Sequence, residues 1–273
     1  MRKALKRFLM RLGLYEPLWR LRGWLRRHSL RTALRNRHWR QDHSEQLPVP
    51  PADLIWEVVN HADIESFLAG GRERATAIER AFAAVGYDLG RARRVLDFGC
   101  GCGRVLRHFA DRGATEWYGS DVNERLVGWC RDHLPFARFA TNGLEPPLAW
   151  EDGFFDAVYT ISVLTHLDEE LQERWLAEMQ RIVSPDGAVL VTTHGDAWLD
   201  ELDEGEAARY RDGAIVVRSS QAPGSNLCES YHPPAYFRTV AGRHFGVVHH
   251  LPQGTPAQRV QDIWVLRRPR PTR

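Results

Sequence analysis

A glycine-rich turn after an apolar strand constrains this chain more than any other feature of its sequence. Residues 95–104 read Val-Leu-Asp-Phe-Gly-Cys-Gly-Cys-Gly-Arg, with glycine at alternate positions 99, 101 and 103. Glycine adopts backbone conformations that a Cβ forbids, and it lets a ligand approach the main chain closely. A helix-like stretch, Val105–Phe109, follows, and a helix start offers N–H groups to an anion. The run therefore predicts a nucleotide-type pocket at the end of the first strand of a parallel sheet.

The spacing of the glycines indicates which nucleotide the pocket takes. A dinucleotide-binding turn reads G-x-G-x-x-G and needs glycine at position 104, where this chain has Arg104. The pattern from Asp97 to Gly103, an acid followed by three alternate glycines, instead resembles that of class I S-adenosylmethionine (SAM) methyltransferases. An ordinary glycine-rich turn is the alternative, and the segments that follow favour the methyltransferase interpretation.

The second predicted strand ends at an acid, Asp121, 18 residues after Gly103. An acid at this place accepts hydrogen bonds from both ribose hydroxyls of a nucleotide. An ionised carboxylate takes both donors at once, which explains the residue type. The alternative is that Asp121 caps the helix that starts near Asn123. The spacing and the strand-end position favour the ribose role.

Further strands and a helix follow in the order expected of such a sheet. The fourth strand is a nearly continuous apolar run, which suits a strand buried on both faces. Apolar residues at helical spacing predict a helix at 168–183, which the Ser-Pro-Asp-Gly sequence at 184–187 should stop. The predicted strands after Asp121 are 137–140, 155–164, 188–193, 246–250 and 262–266, the last two as an antiparallel hairpin.

The resemblance covers about residues 90–195 and implies an α/β fold. It implies a Rossmann-like class I methyltransferase sheet of seven strands, mostly parallel with the last one antiparallel. Helices should cover both faces, and a basic helical extension should precede the sheet. It also implies SAM as the cofactor, with Asn142 either at the adenine edge or in a plain Asn-Gly turn. The candidate cofactor-binding residues are Asp97, Gly99, Cys100, Gly101, Gly103, Asp121, Val122, Asn142 and Gly143.

Charge is distributed unevenly along the 273 residues. Residues 1–40 contain thirteen Lys and Arg against one acid, whereas the remainder contains 24 basic and 34 acidic residues. We therefore divide the chain into a basic amphipathic arm at 1–46, a linker with cap helices at 47–89, and a methyltransferase domain at 90–273. A helical pattern from 63 to 85 is expected to break at Gly70-Gly71. Within the domain, an insert at 196–245 should face the substrate.

A basic arm on an acidic body indicates an anionic partner. Leucines and tryptophans in residues 1–40 share a face with arginines on the rest, which is typical of a helix lying on an anionic membrane. Packing on the protein's own acidic surface or on a second subunit, nucleic-acid binding, and a targeting role are the alternatives. No uncharged run approaches 18 residues, so no membrane span is predicted. The expected location is the cytoplasm, with peripheral contact at the inner membrane surface.

Four cysteines, at 100, 102, 130 and 228, are predicted to be reduced small residues. Cys100 and Cys102 are too close in sequence for a favourable disulfide, and no second ligand pair has zinc-site spacing. Asp168 and Asp196 would suit a divalent cation of the catechol-methyltransferase kind, but no third ligand accompanies them. We therefore predict no metal.

Three histidines are candidate general bases for methyl transfer. An alcohol acceptor benefits from a base, whereas an amine acceptor needs only to be neutral. His166 follows the fourth strand, His194 follows the fifth, and His232 lies in the insert. For His166 the alternative is a structural role, packing beneath the cofactor or starting the next helix.

The predicted function is methyl transfer from SAM to a small-molecule or glycan acceptor, with O-methylation preferred over N-methylation. A nucleic-acid methyltransferase is disfavoured because no Asn-Pro-Pro-Tyr-type motif follows the fourth strand. A noncatalytic binding protein of the same fold is disfavoured because the glycine turn and Asp121 are intact.

Overall fold

A computed structural model describes residues 29–219, 223–224, 227–255 and 260–268. The chain divides into two compact units, 1–69 and 70–273. This division cuts across the predicted linker and cap region of 47–89. The predicted helices of the arm before residue 29, and the basic tail from residue 269, lie outside the described residues.

The first unit contains helix α1 (Leu30–Asp42), helix α2 (Ala52–Val59) and the start of helix α3 (Ile64–Ala84). The buried Asn36 joins α1 to the start of α3. Its Nδ2 donates to the Ala62 carbonyl at 2.7 Å, and its Oδ1 accepts from the Ile64 N–H at 3.1 Å. The α1 helix is thus held by a buried amide with both of its polar groups in use.

The second unit is built on a seven-stranded sheet in the order β3-β2-β1-β4-β5-β9-β8. All neighbours are parallel except β9, which is antiparallel to both β5 and β8, so the predicted topology is confirmed. Strands β6 and β7 form a separate antiparallel pair. The strands are β1 (Arg94–Phe98), β2 (Glu116–Asp121), β3 (Ala137–Thr141), β4 (Phe155–Thr160), β5 (Val183–Thr193), β6 (Val216–Arg218), β7 (Glu229–Tyr231), β8 (Gly246–Leu251) and β9 (Asp262–Arg267).

Helices cover both faces of this sheet, as predicted. The helices of the second unit, besides the rest of α3, are α4 (Glu124–His133), α5 (Glu169–Ile182), α6 (Glu204–Arg211) and α7 (Pro234–Gly242). Because successive side chains of a strand point to opposite faces, β1 sends Leu96 to one apolar cluster and Val95 to another. The first cluster includes Trp175 of α5, and the second includes Phe82 of α3. Burial on both faces explains the continuous apolar runs of the central strands.

Strand β4 is shorter than predicted. It ends at Thr160 rather than at residue 164, because Ser162 has φ of 62°, which no strand residue adopts. A single 3₁₀ turn, Leu164–His166, follows. The stretch after the glycine turn is likewise only a 3₁₀ turn, Leu106–Phe109. The dipole of a long helix is therefore absent there, so the expected helix is wrong, and the anion site after the turn stays a prediction.

Helix α3 passes through Gly70-Gly71 without a break, so the predicted interruption is wrong. A Cβ added to Gly71 would lie 2.2 Å from the Arg104 carbonyl oxygen. The glycine is therefore needed for close approach between α3 and the main chain that follows the glycine turn. This packing role outweighs the low helix propensity of glycine.

The insert contains more regular structure than the sequence predicts. Besides the short strand β6, it contains α6, β7 and α7. Strand β7 runs along the end of β5 through a parallel bridge between His194 and Tyr231. Among the described helices, none is long and apolar enough to cross a lipid bilayer.

Candidate active site

The glycine turn is held open by hydrogen bonds to the end of β2. Gly99, Gly101 and Gly103 have φ of 82°, 54° and 73°, all in the left-handed region that favours glycine. The Gly99 and Cys100 N–H groups donate to the Ser120 carbonyl at 2.7 and 3.0 Å. A Cβ on Gly99 would lie 2.1 Å from Cγ2 of Val163, so the loop after β4 packs directly on the turn.

Asp121 closes the turn from the end of β2. Its Oδ2 accepts from the Gly101 N–H at 2.8 Å, and its Oδ1 accepts from the Asn123 N–H at 2.9 Å. Burial raises the pKa of this carboxyl, and the backbone N–H groups oppose that rise. The residue that caps α4 is Asn123, whose side chain accepts from the Arg125 and Leu126 N–H groups, so the capping alternative for Asp121 is wrong.

Backbone hydrogen bonds leave acceptor capacity on the Asp121 carboxylate. A carboxylate offers about four lone-pair sites. The Gly101 and Asn123 N–H groups each use one, the Val122 N–H also contributes, and the capacity that remains suits a ribose hydroxyl. The main-chain bonds orient the carboxylate before any ligand arrives, which lowers the entropy lost on binding.

Asp97 is buried in β1, between Gly119 of β2 and Tyr159 of β4. Burial raises the pKa of its carboxyl to about 8, and the neighbouring Asp121 carboxylate adds to the rise. A carboxyl of this kind is stabilised in its charged form by a nearby cation. Its position and charge suit a positively charged ligand at the turn.

The remaining cofactor candidates differ in what they present to a ligand. Val122, 45% exposed, is an apolar side chain at the rim beside Asp121. The Cys100 thiol is buried and lies 3.6 Å from the Gly101 carbonyl oxygen, which leaves only main-chain atoms for a ligand. Asn142 accepts from the Ser120 hydroxyl and donates to the carbonyl of the exposed Gly143, so its side chain serves the local turn.

These residues fit SAM on three grounds. The cofactor cradle is the turn at Gly99, Gly101 and Gly103, whose positive φ values require glycine and leave its main chain without a covering Cβ. Asp121 supplies carboxylate oxygens where ribose hydroxyls need acceptors. The buried Thr160 hydroxyl, at the end of β4, has no hydrogen-bond partner among the described residues. Such a buried polar group calls for a partner.

His166 and His194 are oriented in the same way by the segment that enters β7. The Nδ1 atom of His166 lies 2.8 Å from the Cys228 carbonyl oxygen, and that of His194 lies 3.2 Å from the Ser230 carbonyl oxygen. A carbonyl only accepts, so Nδ1 carries the proton in both rings. In each neutral ring Nε2 then holds the lone pair. His166 is half-buried, whereas His194 is buried and packs on Trp198, with ring centres 4.0 Å apart.

His232 has a different environment from the other two histidines. Its side chain is fully buried, and its Nε2 lies 3.0 Å from Oε1 of Gln172. The Gln172 amide nitrogen donates to the Leu167 carbonyl at 2.9 Å, so its oxygen faces His232 and Nε2 is the donor. Burial lowers the pKa of His232 to about 3.

The two acids considered for a metal have other partners. Asp168 caps α5 by accepting from the Leu171 N–H, and Asp196 accepts from the Tyr210 hydroxyl. Within the described ranges, no group of three His, Cys, Asp or Glu residues is arranged to hold a metal ion. All four cysteines are buried and unbridged.

Sequence reasoning missed two features of the site. One is Ser162, whose positive φ turns the chain after β4 and whose N–H donates to the Thr192 hydroxyl at 2.8 Å. The other is the carbonyl edge at Cys228 and Ser230. Neither feature can be recognised in the sequence, because every residue has a main-chain carbonyl and because serine is common in loops.

The fold and the glycine turn define a class I SAM-dependent methyltransferase domain. Residues 95–187 match the family model described as a methyltransferase domain. The resemblance inferred from the sequence is therefore confirmed.

The chain is also similar to named proteins. It is 28% identical over 156 residues to the ubiquinone/menaquinone biosynthesis C-methyltransferase UbiE of Burkholderia multivorans, covering 54% of this chain and 61% of that protein. It is 27% identical over 205 residues to the protein of the same name from Cupriavidus metallidurans, covering 64% of this chain and 79% of that one. The chain thus spans about three fifths of the length of the first of these relatives.

Among solved structures, the chain resembles the glycopeptide N-methyltransferase MtfA in complex with SAM. The TM-score is 0.54 at 14% identity, covering 71% of this chain and 94% of that one. At this identity the likeness shows the shared fold alone.

Proposed function

We propose that this protein is an enzyme that transfers a methyl group from SAM to a small-molecule or glycan acceptor carrying an acidic O–H group. The observation that carries the proposal is the packing of Val163 on Gly99. It places the loop that bears His166 against the glycine turn. A nucleotide pocket and a histidine with a fixed tautomer are thereby brought to one edge of the sheet.

Cofactor binding rests on the cradle already described. The Asp121 carboxylate accepts from the ribose hydroxyls, and Val122 offers an apolar surface at the rim. Asp97 is a buried carboxyl beneath the turn, and a bound cation stabilises its ionised form. When bound, SAM supplies an activated methyl group on a positively charged sulfur. The protein's own contribution is then to position the acceptor, exclude water and move one proton.

His166 is our candidate for the residue that takes this proton. Its Nδ1–H is held by the Cys228 carbonyl, so the Nε2 lone pair accepts the proton of the acceptor O–H group. The electron pair of the broken O–H bond stays on the acceptor and forms the new bond to the methyl carbon. His194 has the same tautomer but is buried, so we place it second. The buried bond from His232 to Gln172 favours a structural role for the third histidine.

Of the three possible reactions, a histidine base supports O-methylation and C-methylation but is not needed for N-methylation. O-methylation and C-methylation next to a phenolic or enolic oxygen both require loss of an O–H proton, whereas a neutral amine needs no base. The relatives matched by sequence are named C-methyltransferases, and the structural neighbour is named an N-methyltransferase. We therefore propose an acceptor of the phenol or enol type and extend the predicted O-methylation to include C-methylation.

We also propose a cytoplasmic location. Four unbridged, buried cysteines suit a reducing compartment, where thiols stay reduced. The cytoplasmic location that the sequence predicts therefore stays a prediction.

Calorimetry tests the cofactor assignment. Wild-type protein should bind SAM and should not bind NAD. Asp121→Ala removes a charged acceptor of two hydrogen bonds, and we expect a loss of about 2–3 kcal/mol in SAM binding. Asp132→Ala, an exposed acid on α4, is the matched control and should bind SAM normally. Tight NAD binding, or unchanged SAM affinity in Asp121→Ala, contradicts the assignment.

A screen for SAM consumption tests the acceptor class. Hydroquinones and other phenols, sugars and primary amines are compared under the same conditions, and the product is analysed by mass spectrometry. Turnover with phenols or hydroquinones supports the proposal, and turnover with sugar hydroxyls alone would support O-methylation but contradict the phenol or enol class. Turnover with amines alone would show that no O–H proton is removed.

A further inference from the structure

We propose that the outer face of helix α1 docks on an anionic membrane surface, with Leu30 and Leu34 entering the lipid. We define the outer face as Leu30, Arg31, Leu34, Arg37 and His38, all of them exposed. The proposal is independent of methyl transfer, since it concerns the first unit of the chain alone.

The opposite face of α1 contacts other residues of the first unit. Asn36 is buried and bonds to Ala62 and Ile64. Arg35 forms an ion pair with Asp63, with Nε and Oδ2 2.6 Å apart. These contacts fix the rotation of the helix about its axis, so its outer face is determined by the fold of this unit.

Two leucines on the outer face are exposed to an unusual extent. Leu30 is 81% exposed and Leu34 is 57% exposed, and among the described residues Val122 is the only other exposed large apolar side chain. A spacing of four residues places the two leucines side by side on the helix surface. The two leucines together form a small apolar patch on the outer face, which contact with an apolar partner surface would remove from water.

The charge around the leucines identifies the partner as anionic. Helix α1 has arginine at 31, 35, 37 and 40 against a single acid, Asp42. The 28 residues before Ser29 add nine Lys and Arg and one acid, so the basic character continues directly into this helix. Apolar side chains surrounded by arginines match a membrane interface, where leucines enter the acyl boundary and arginines meet anionic headgroups.

Nucleic acid is the other anionic partner, and the leucines disfavour it. Phosphate backbones are bound by cations and hydrogen-bond donors, and they leave exposed leucines in water. A lipid surface satisfies both the charge and the apolar pair. We therefore commit to the lipid surface and treat nucleic-acid binding as an outcome that would overturn the proposal.

Vesicle sedimentation with the full-length protein tests the proposal. The protein should pellet with phosphatidylcholine vesicles that contain about 30% phosphatidylglycerol, should not pellet with phosphatidylcholine alone, and should be released by salt. Leu30→Ser/Leu34→Ser should lower the partition coefficient at least about tenfold, because burial of one leucine is worth that much. Arg31→Gln/Arg37→Gln should lower it by about fivefold for each arginine.

Two control variants separate docking from unfolding. Ala33→Ser changes an exposed residue of the same helix, and Arg80→Gln removes an exposed arginine of α3. Both should bind vesicles as the wild type does, and every variant should keep its thermal midpoint. The proposal is overturned if wild-type protein ignores anionic vesicles, if the leucine variant binds them normally, or if single-stranded DNA is bound while vesicles are not.

Discussion

Two halves of the same sheet edge are built by different means. In the cofactor half, at the ends of β1 to β3, Gly101 bonds to Asp121 and Ser120 bonds to Asn142, across 20 and 22 positions of the chain. In the acceptor half, at the ends of β4 and β5, His166 bonds to Cys228 across 62 positions and His194 bonds to Ser230 across 36. The first half is built by neighbouring strands, and the second depends on a remote insert.

This difference determines how each half should respond to mutation. The cofactor half relies on main-chain N–H groups, which are positioned by the conformation of the turn itself. The acceptor half relies on β7 staying in place across the ends of two strands. Damage to the turn should therefore abolish SAM binding, whereas damage to the insert should spare it and lower turnover.

The largest effect is expected from Gly99→Ala in the cofactor half. A Cβ would lie 2.1 Å from Val163, at a residue with φ of 82°. Left-handed strain and overpacking together should lower the free energy of unfolding by about 2–5 kcal/mol and abolish SAM binding. Urea denaturation and calorimetry measure the two effects.

Gly128→Ala is the control for this prediction. Nothing lies within 4 Å of the added Cβ, and the residue is inside helix α4. Alanine should raise the free energy of unfolding by up to about 1 kcal/mol. A Gly99→Ala protein as stable as Gly128→Ala would disprove the close packing of the β4 loop on the turn.

The variant His166→Asn should show most clearly that the acceptor half can lose activity while the cofactor half keeps its SAM affinity. We expect turnover with a phenolic or hydroxyl acceptor to fall about 10²-fold or more, which is typical for loss of a general base. SAM affinity should stay unchanged, because the ring takes no part in the cofactor cradle. Steady-state kinetics and calorimetry on the same preparation give both values.

His232→Asn is the comparison variant for the base. A buried histidine held by Gln172 should affect stability more than chemistry. If His232→Asn lowered turnover as much as His166→Asn at equal folded fraction, the assignment of the base to His166 would be wrong.

A smaller effect is expected where the insert is held together. Arg218 binds Glu206 and lies 3.6 Å from Glu229 and 3.0 Å from the Tyr231 hydroxyl, so it braces β7. Arg218→Gln should lower the free energy of unfolding by about 1–2 kcal/mol and lower turnover, with SAM affinity preserved. Arg174→Gln breaks a more exposed pair with Glu145 and should cost less than about 1 kcal/mol.

The stabilisation by Arg218 should depend on pH. The bond from Arg218 lowers the pKa of Glu206 below its usual value, so the folded protein holds the charged form more strongly than the unfolded chain does. That contribution is complete above the unfolded pKa and is lost as the pH falls through the lowered pKa of the folded protein. Wild type and Arg218→Gln should therefore converge in stability in acid, and a constant difference down to low pH would contradict the role given to this bond.

The smallest expected effect concerns Asp97. Its pKa of about 8 means that the carboxyl is largely protonated at neutral pH in the free protein. A bound ligand of net positive charge lowers that pKa, so SAM binding near pH 7–8 should release a fraction of a proton, at most about one. Calorimetry in two buffers of different ionisation enthalpy measures the release, and Asp97→Asn should abolish it. Equal heats in both buffers for the wild type would show that Asp97 does not respond to the cofactor.

Much of the cofactor half could be read from the residues alone. Glycine at alternate positions and an acid at a strand end are residue types with few substitutes, so their spacing predicted the turn and the end of β2, whereas the bond from the Gly101 N–H to Asp121 came only from the structure. The mostly parallel seven-stranded sheet followed from the family resemblance, whereas the spatial order of its strands came from the structure. The acceptor half was predicted only as three histidines and an insert, because nothing in the sequence connects position 166 with position 228.

The errors have a common physical cause. Gly70-Gly71 predicts a break in the helix, yet α3 continues through both residues. The lack of a Cβ at Gly71 lets the Arg104 carbonyl oxygen approach the helix closely. Residues 161–164 read as strand, yet Ser162 turns the chain with a positive φ. In both places a tertiary contact outweighs a local preference of modest size.

Local chemistry thus defined the class of fold, the glycine turn and the acid that closes it, because left-handed φ values and carboxylate hydrogen bonds demand particular residue types. Tertiary structure alone decided the tautomers of His166 and His194, the burial of His232 and the uninterrupted course of α3. These depend on main-chain carbonyls and on space between elements far apart in sequence. Every residue has the same main-chain carbonyl group, and the space between elements depends on how they pack. Their positions therefore follow from the folded structure and not from residue types.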